Sequence, residues 1–235
     1  MFQQLIRVMS DNSLSHMTVL DRVAGNVSNY NTNGYKALRF ENYMLPDGRV
    51  SGVERRNMAQ GSQHITNRPL DVAIEGEGYL PVTQPDGTVA YTRDGALAVN
   101  AQGYLVTQYG DIVGEGIQMP AQYDKLLILP DGTVQVQENK IPTPRTLGRI
   151  LLATFPNPEG LAAVGYNKLL PTEASGQVRP AAPSVLLKQG NLERSNVNIY
   201  HQIDQVLRLN AGVISSFRVI KYTDDLYRQA VNLRQ

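Results

Sequence analysis

Apolar residues recur at three- and four-residue steps through the first thirty positions. Ile6, Met9, Met17, Leu20, Ala24 and Val27 keep that rhythm, with Ser13 at the vacant step, so they share one helix face. No proline interrupts residues 1–45. The run Ser28-Asn29-Tyr30-Asn31-Thr32-Asn33-Gly34 then stops the pattern. Its short polar side chains bond nearby backbone in competition with a helix, and Asn-Gly tolerates positive φ. The spacing predicts a helix ending near Asn29, roughly 25 residues or about 40 Å long. Asn26, Asn29, Asn31, Thr32 and Gly34 are assigned to this helix stop and turn rather than to ligand binding.

The C-terminal arm repeats the rhythm more strictly. Ile203, Val206, Asn210, Val213, Phe217, Ile220, Asp224, Tyr227 and Val231 alternate steps of three and four, and Leu207 and Ile214 widen the stripe. A heptad seam over about four repeats results, with polar residues at only two positions. Ser195, Asn196 and Asn198 are N-cap candidates, and no proline follows Pro183. A second helix is predicted from about 198 to 230.

Between the arms the period shortens. Asp-Gly pairs stand at 47–48, 86–87, 94–95 and 131–132, a hairpin signal because a type I′ turn needs positive φ at both central residues. Residues 80–83 and 88–92 read as one hairpin, 96–99 and 104–107 as a second, 126–129 and 133–136 as a third. Arg149 to Phe155 reads as a buried strand. Twelve of the 13 prolines lie between 69 and 183, so this region is antiparallel β rather than helical. Alternation in 70–75 sets Asp71, Ala73 and Glu75 on a solvated face, opposite Leu70, Val72 and Ile74.

The composition removes most chemistry. Lys+Arg number 22 and Asp+Glu 21, a net charge of +1, which supplies no positive field for nucleic acid or an anionic membrane. Mean hydropathy is −0.28, and no stretch has the roughly 20 unbroken apolar residues a membrane span requires. With 0 Cys there is no disulfide or thiolate site, and the 3 His, at positions 16, 64 and 201, lack metal-ligand spacing. No GxGxxG, phosphate loop or Gly-x-Ser-x-Gly occurs. Asp71, Glu75 and Asp94 are the carboxylates that a carbohydrate-active β domain could use, the enzyme alternative.

Three segments in series carry a resemblance. Residues 24–36, Ala-Gly-Asn-Val-Ser-Asn-Tyr-Asn-Thr-Asn-Gly-Tyr-Lys, resemble the N-terminal signature of the bacterial flagellar rod and hook proteins. Residues 68–79, followed by Tyr91-Thr92-Arg93-Asp94-Gly95-Ala96-Leu97 and Gly103-Tyr104-Leu105-Val106-Thr107, look like that family's central β motif. Residues 189–198, Gln-Gly-Asn-Leu-Glu-Arg-Ser-Asn-Val-Asn, are similar to the stretch before its C-terminal helix. Gly25 and Ser28 depart from the pattern, as does Ala211-Gly212-Val213-Ile214-Ser215-Ser216-Phe217. The short Lys36–Pro69 connection and the Leu5-Ile6-x-x-Met9-Ser10 start look more like the proximal than the distal rod.

The resemblance implies a non-enzymatic subunit of the flagellar basal-body rod. It would be exported without a cleaved signal through the flagellar type III apparatus to the periplasmic side, and would polymerise helically to carry motor torque to the hook. Its partners would be itself and other rod subunits, with hook or export-gate-side proteins as further candidates, and with no cofactor, metal, nucleic acid or small-molecule substrate. The expected fold is α+β: an antiparallel β domain between N- and C-terminal helices that pair as a coiled-coil-like layer. The divisions are 1–34 for the first arm, 35–68 for a connecting segment, 69–188 for the β domain and 189–235 for the second arm. The assembly seam is Met17, Leu20, Val27, Ile203, Val206, Leu207, Val213, Phe217 and Ile220, and the arms are expected to order only when copies meet. A phage-tail or adhesin-like structural protein shares this logic and is the second alternative.

Overall fold

The computed structural model describes residues 2–46, 50–138 and 143–232. Helix α1 spans Phe2–Ser28 and helix α2 Ile199–Asn232, both within a residue or two of the predicted ends. Asn198 caps α2, its Oδ1 accepting from the His201 amide at 3.1 Å. The side chains of Ile6, Tyr227 and Val231 lie outside the described ones, and so do Asp47 and Gly48.

The chain forms two compact units. Unit 1 gathers residues 1–29, 38–56 and 197–235; unit 2 holds 30–37 and 57–196. In unit 1 the helices run antiparallel, with Asn26 bonded to Gln202 and His16 close to Gly212. Both helices are wound in the single chain, contrary to the expectation that they order only in an assembly. The reason is local packing: Val19 and Val23 of α1 and Gln202 of α2 are buried within unit 1. The third part of the unit is a hairpin inside the segment read as a connector. Its strands Leu38–Met44 and Val50–Arg56 pair antiparallel from Leu38 opposite Arg56 to Met44 opposite Val50. Arg55 pairs with Glu41 across it at 3.1 Å, and Arg22 of α1 reaches Glu54 at 2.5 Å.

Unit 2 is antiparallel throughout its described strand pairs. Its largest sheet has seven short strands, in the spatial order 162–163, 168–170, 89–92, 80–83, 112–113, 105–107, 97–99. A three-stranded sheet (125–128, 133–137, 145–149) contributes to the same apolar core, where Leu80, Val82, Leu97, Leu105, Val134 and Val136 are buried. A second cluster stacks Phe155 edge-on against Tyr91, ring centres 4.9 Å apart at 86°.

The three predicted hairpins occur at 80–83/89–92, 97–99/105–107 and 125–128/133–137. Their turns differ from the expected type. Only Gly87, Gly103 and Gly132 have positive φ, and each donates its amide three residues back. Each is therefore a longer turn closed by one left-handed glycine, the arrangement a preceding Pro-Asp or Ala-Gln permits. Asp94-Gly95 makes no hairpin: Gly95 lies so close to Val72 that a Cβ would stand 1.7 Å from its carbonyl oxygen.

Two other readings are corrected. Arg149 to Phe155 is not one strand, because the chain changes sheets there. Arg149 closes a ladder against Thr133, Ile150 donates its amide to the Gly132 carbonyl at 2.8 Å, and Ala153 pairs with Tyr79 and Pro180 instead. The face assigned to solvent in 70–75 is also not solvated. Asp71 and Ala73 are buried like Val72 and Ile74, and only Glu75 is exposed. That strand is covered on both sides, so alternation does not report exposure.

Candidate functional site

Two features stand out: the free faces of the helices in unit 1, and a buried charge cluster in unit 2.

In α1 the buried positions are Val19, Val23 and Asn26, spaced by four and three. The predicted seam lies one residue further round, about 100° away. There Met17 is 63% exposed, Leu20 46% and Val27 43%. The helix therefore carries two adjacent apolar stripes, and the single chain uses one. In α2 the side toward α1 is made by Gln202, Val206, Leu209, Gly212, Val213 and Ser216, all buried or half-buried. Of the remaining seam residues, Phe217 is 64% exposed, Leu207 62% and Ile203 53%, and Ile220 is exposed too. Scattered exposed apolar residues need no explanation, but continuous stripes on two neighbouring helices do. Between the helices a cleft of about 200 Å³ is lined by His16, Met17, Leu20, Val206, Leu209, Asn210 and Val213. Gly212 faces the His16 ring, which lies 3.4 Å from where a Cβ would stand, an ordinary van der Waals separation.

The helix-stop residues divide their work. Asn29 ends α1, its amide and its Nδ2 both donating to the Gly25 carbonyl. Asn26 does something else. Its Oδ1 accepts from Leu38 N and its Nδ2 donates to Leu38 O, both at 2.8 Å, so the side chain pairs with the start of the hairpin as a strand would. The same Nδ2 also donates to Gln202 Oε1 at 3.1 Å. Asn31 is exposed, and the Thr32 carbonyl accepts from the Tyr35 amide. Gly34 has φ +68° and lies against the Arg93–Asp94 peptide, where a Cβ would come within 2.6 Å of backbone atoms. Only glycine supplies both the torsion and the room.

Glu193, whose side chain is fully buried, is the centre of unit 2's charge cluster. One oxygen accepts from Lys36 Nζ at 2.5 Å and from Gly61 N at 2.8 Å, the other from Arg93 Nε at 2.7 Å. One carboxylate faces two buried cations, and backbone carbonyls supply the rest. Lys36 donates also to Ala59 O, and Arg93 to the carbonyls of Gly76 and Gly78. Burial pulls the Lys36 ammonium below its ordinary value, against the pull of Glu193 in the other direction and with that of Arg93. The Tyr79 hydroxyl is pushed up to about 12, chiefly by burial. Lys36, Arg93 and Glu193 each stand in one of the three quoted sequence segments, which thus converge here. Sequence reading singled out none of them; two cations and one anion in separate segments were the available signal.

Two of the three carboxylates of the enzyme alternative, Asp71 and Asp94, are engaged with neighbouring groups. Asp71 ion-pairs with Arg68 at 3.5 Å. Asp94 accepts from Ala96 N at 3.1 Å and from Gln108 Nε2 at 2.8 Å, and burial raises its pKa above the ordinary carboxylate value. Glu75 is exposed at its strand end. Among the described residues no group of acidic or histidine side chains could hold a metal ion, and no helix is long and apolar enough to cross a membrane.

Residues 73–136 match the model of the flagellar hook protein FlgE/F/G D1 domain. The chain is 32% identical to the flagellar basal-body rod protein FlgG of Caulobacter vibrioides, covering 98% of this chain and 99% of that one. It is 32% identical to FlgG of Borreliella burgdorferi over 92% and 93% of the two chains. Identity to the flagellar basal-body rod protein FlgF of Escherichia coli is 29% over 86% of each.

Proposed function

Because the chain belongs to the flagellar basal-body rod proteins and is a structural subunit of the rod, we propose that it polymerises helically through the free faces of α1 and α2. The observation that carries this is the second apolar stripe: Met17, Leu20 and Val27 on α1, with Ile203, Leu207, Phe217 and Ile220 on α2, exposed in the single chain. Neighbouring copies bury these faces, each patch meeting a different patch on the next copy, so that the rotation never closes. Val206 and Val213, half-covered already, floor the cleft that a neighbour's side chain enters. The helices of unit 1 then form the wall and the β domain of unit 2 stiffens it, and the assembled wall passes torque to the hook.

The partners are other copies and other rod subunits, on the periplasmic side of the envelope, reached through the flagellar export apparatus. The 0 Cys content suits such a route, since an exported chain then carries no thiol to oxidise. The chain catalyses nothing in this reading, in line with the engagement of Asp71 and Asp94 by neighbouring groups.

Phe217→Asp and Ile203→Asp test it. Both residues are exposed in the lone chain, so folding should change by no more than about 0.5 kcal/mol. Each buried contact would lose roughly 1.5–3 kcal/mol and gain a desolvated charge besides. Rod incorporation should be abolished while tyrosine near-ultraviolet dichroism stays native. Normal rods built from either variant would refute the seam.

A further inference from the structure

The chain crosses between its units four times, after Asn29, Ala37, Arg56 and Asn196. On the unit 2 side, the stretches 34–37, 57–61 and 193–196 adjoin three of these crossings, those after Ala37, Arg56 and Asn196, and they are bound to one another. Ala37 N donates to Asn196 Oδ1 at 2.7 Å. Asn196 Nδ2 donates to the carbonyls of Asn57 and Ala59, each at 2.8 Å. Asn57 N donates to Ala37 O at 2.8 Å, and Gly34 N to Glu193 O at 2.9 Å.

Beneath this neutral layer is the Glu193 carboxylate. It holds Lys36 from the first stretch and Gly61 from the second, and it sits in the third itself. Through Arg93 it also reaches the carbonyls of Gly76 and Gly78, in the body of the unit. Charge-assisted bonds are about twice as strong as neutral ones, and burial removes the water that would exchange with them. A pull on any of the three stretches therefore meets Glu193 after the neutral bonds above it.

We propose that Glu193 is a force-resisting clamp, a positioning residue that keeps the three stretches from parting under force. The need for such a clamp rests on the torque-carrying role proposed above; the clamp itself can be tested on a lone chain. It is more than a stabilising ion cluster, because its effect should depend on the direction of pull.

The 0 Cys background allows handles at chosen sites. Tyr30→Cys with Arg194→Cys, both exposed positions, loads the first and third stretches directly. Ala101→Cys with Ala174→Cys, also exposed, loads the sheets elsewhere in the full chain. In single-molecule pulling, Glu193→Gln should lose rupture force in the first geometry and keep it in the second. Lys36→Met removes one of the two cations and leaves the Glu193–Arg93 pair, so its loss should be smaller but of the same directional kind; it decides the matter if Glu193→Gln does not fold. Unchanged force at 30/194, or an equal proportional loss in both geometries, overturns the clamp. Neither reading depends on rod incorporation, so failure here is separate from failure of the helix-face assembly.

Discussion

Replacing Gly34 by alanine is the sharpest local perturbation that the structure offers. Three costs fall on one methyl group. The φ of +68° is strained for any L side chain, at about 1 kcal/mol. The new Cβ would stand 2.6 Å from both Arg93 C and Asp94 N, which are backbone atoms and cannot swing aside. Forcing such an overlap costs roughly 1–3 kcal/mol. Relief by moving residue 34 stretches the hydrogen bond that its N–H donates to Glu193 O, worth about 1 kcal/mol. Together these come to about 3–5 kcal/mol, against a typical total of about 5–15. Two other glycines separate the contributions. Gly87 has φ +85° and nothing within 4 Å of its would-be Cβ, so Gly87→Ala carries only the torsional cost. Gly25 is helical with open space around it, so Gly25→Ala should stabilise by up to about 1 kcal/mol. Urea unfolding followed by tyrosine near-ultraviolet dichroism suits a chain with 12 Tyr and 0 Trp. With a slope of about 2 kcal/mol per molar, Gly34→Ala should lower the midpoint by roughly 1.5–2.5 M and Gly87→Ala by about 0.5 M. Equal shifts for the two would mean that the close approach to Arg93 is not real.

Two further outcomes follow from buried polar groups. Asn26→Ala strips partners from Leu38 N, Leu38 O and Gln202 Oε1 together; we expect a loss of about 2–4 kcal/mol in unit 1 and faster hydrogen exchange at the Leu38 amide, and undiminished protection there would count against the bracket. Burial raises the folded-state pKa of Asp94 above its ordinary 3.8, with the charge of Asp71 adding to the effect. The folded chain thus binds its proton first, so the Asp94 contribution to stability rises as pH falls through the raised value toward 3.8 and then levels off. The stability gap between the parent and Asp94→Asn, read from urea midpoints at pH 7 and at successively lower pH, should shift in the parent's favour on acidification; a pH-independent gap refutes this.

What could be read from the sequence follows the range of the interaction concerned. Both helices and three hairpins were legible because their signals are local: a 3.6-residue period, and glycine at a tight turn. The sheet change at Ile150 was not, since a run of apolar residues looks the same whether it stays in one ladder or joins two. The hairpin at 38–56 was passed over although Leu38, Phe40 and Val53 are strand formers, because charged Arg39, Glu41, Glu54, Arg55 and Arg56 hid the alternation. On α1, periodicity revealed an apolar stripe but not which of two adjacent stripes the chain buries itself, Val19 and Val23 rather than Met17 and Leu20. The Glu193 cluster joins residues 157 and 100 positions apart, and no local pattern encodes such a pairing.

Late residues complete early ones throughout this molecule. The strands Gln63–Ile65 and Val72–Glu75 find their ladder partners in Asn191–Glu193 and Leu186–Gln189, and α1 finds its helical partner in Ile199–Asn232. A polypeptide released by the ribosome before residue 186 therefore leaves its opening segments without their mates. Nonsense alleles that end the chain before residue 186 should then behave as complete nulls, rather than yielding a shortened but serviceable product.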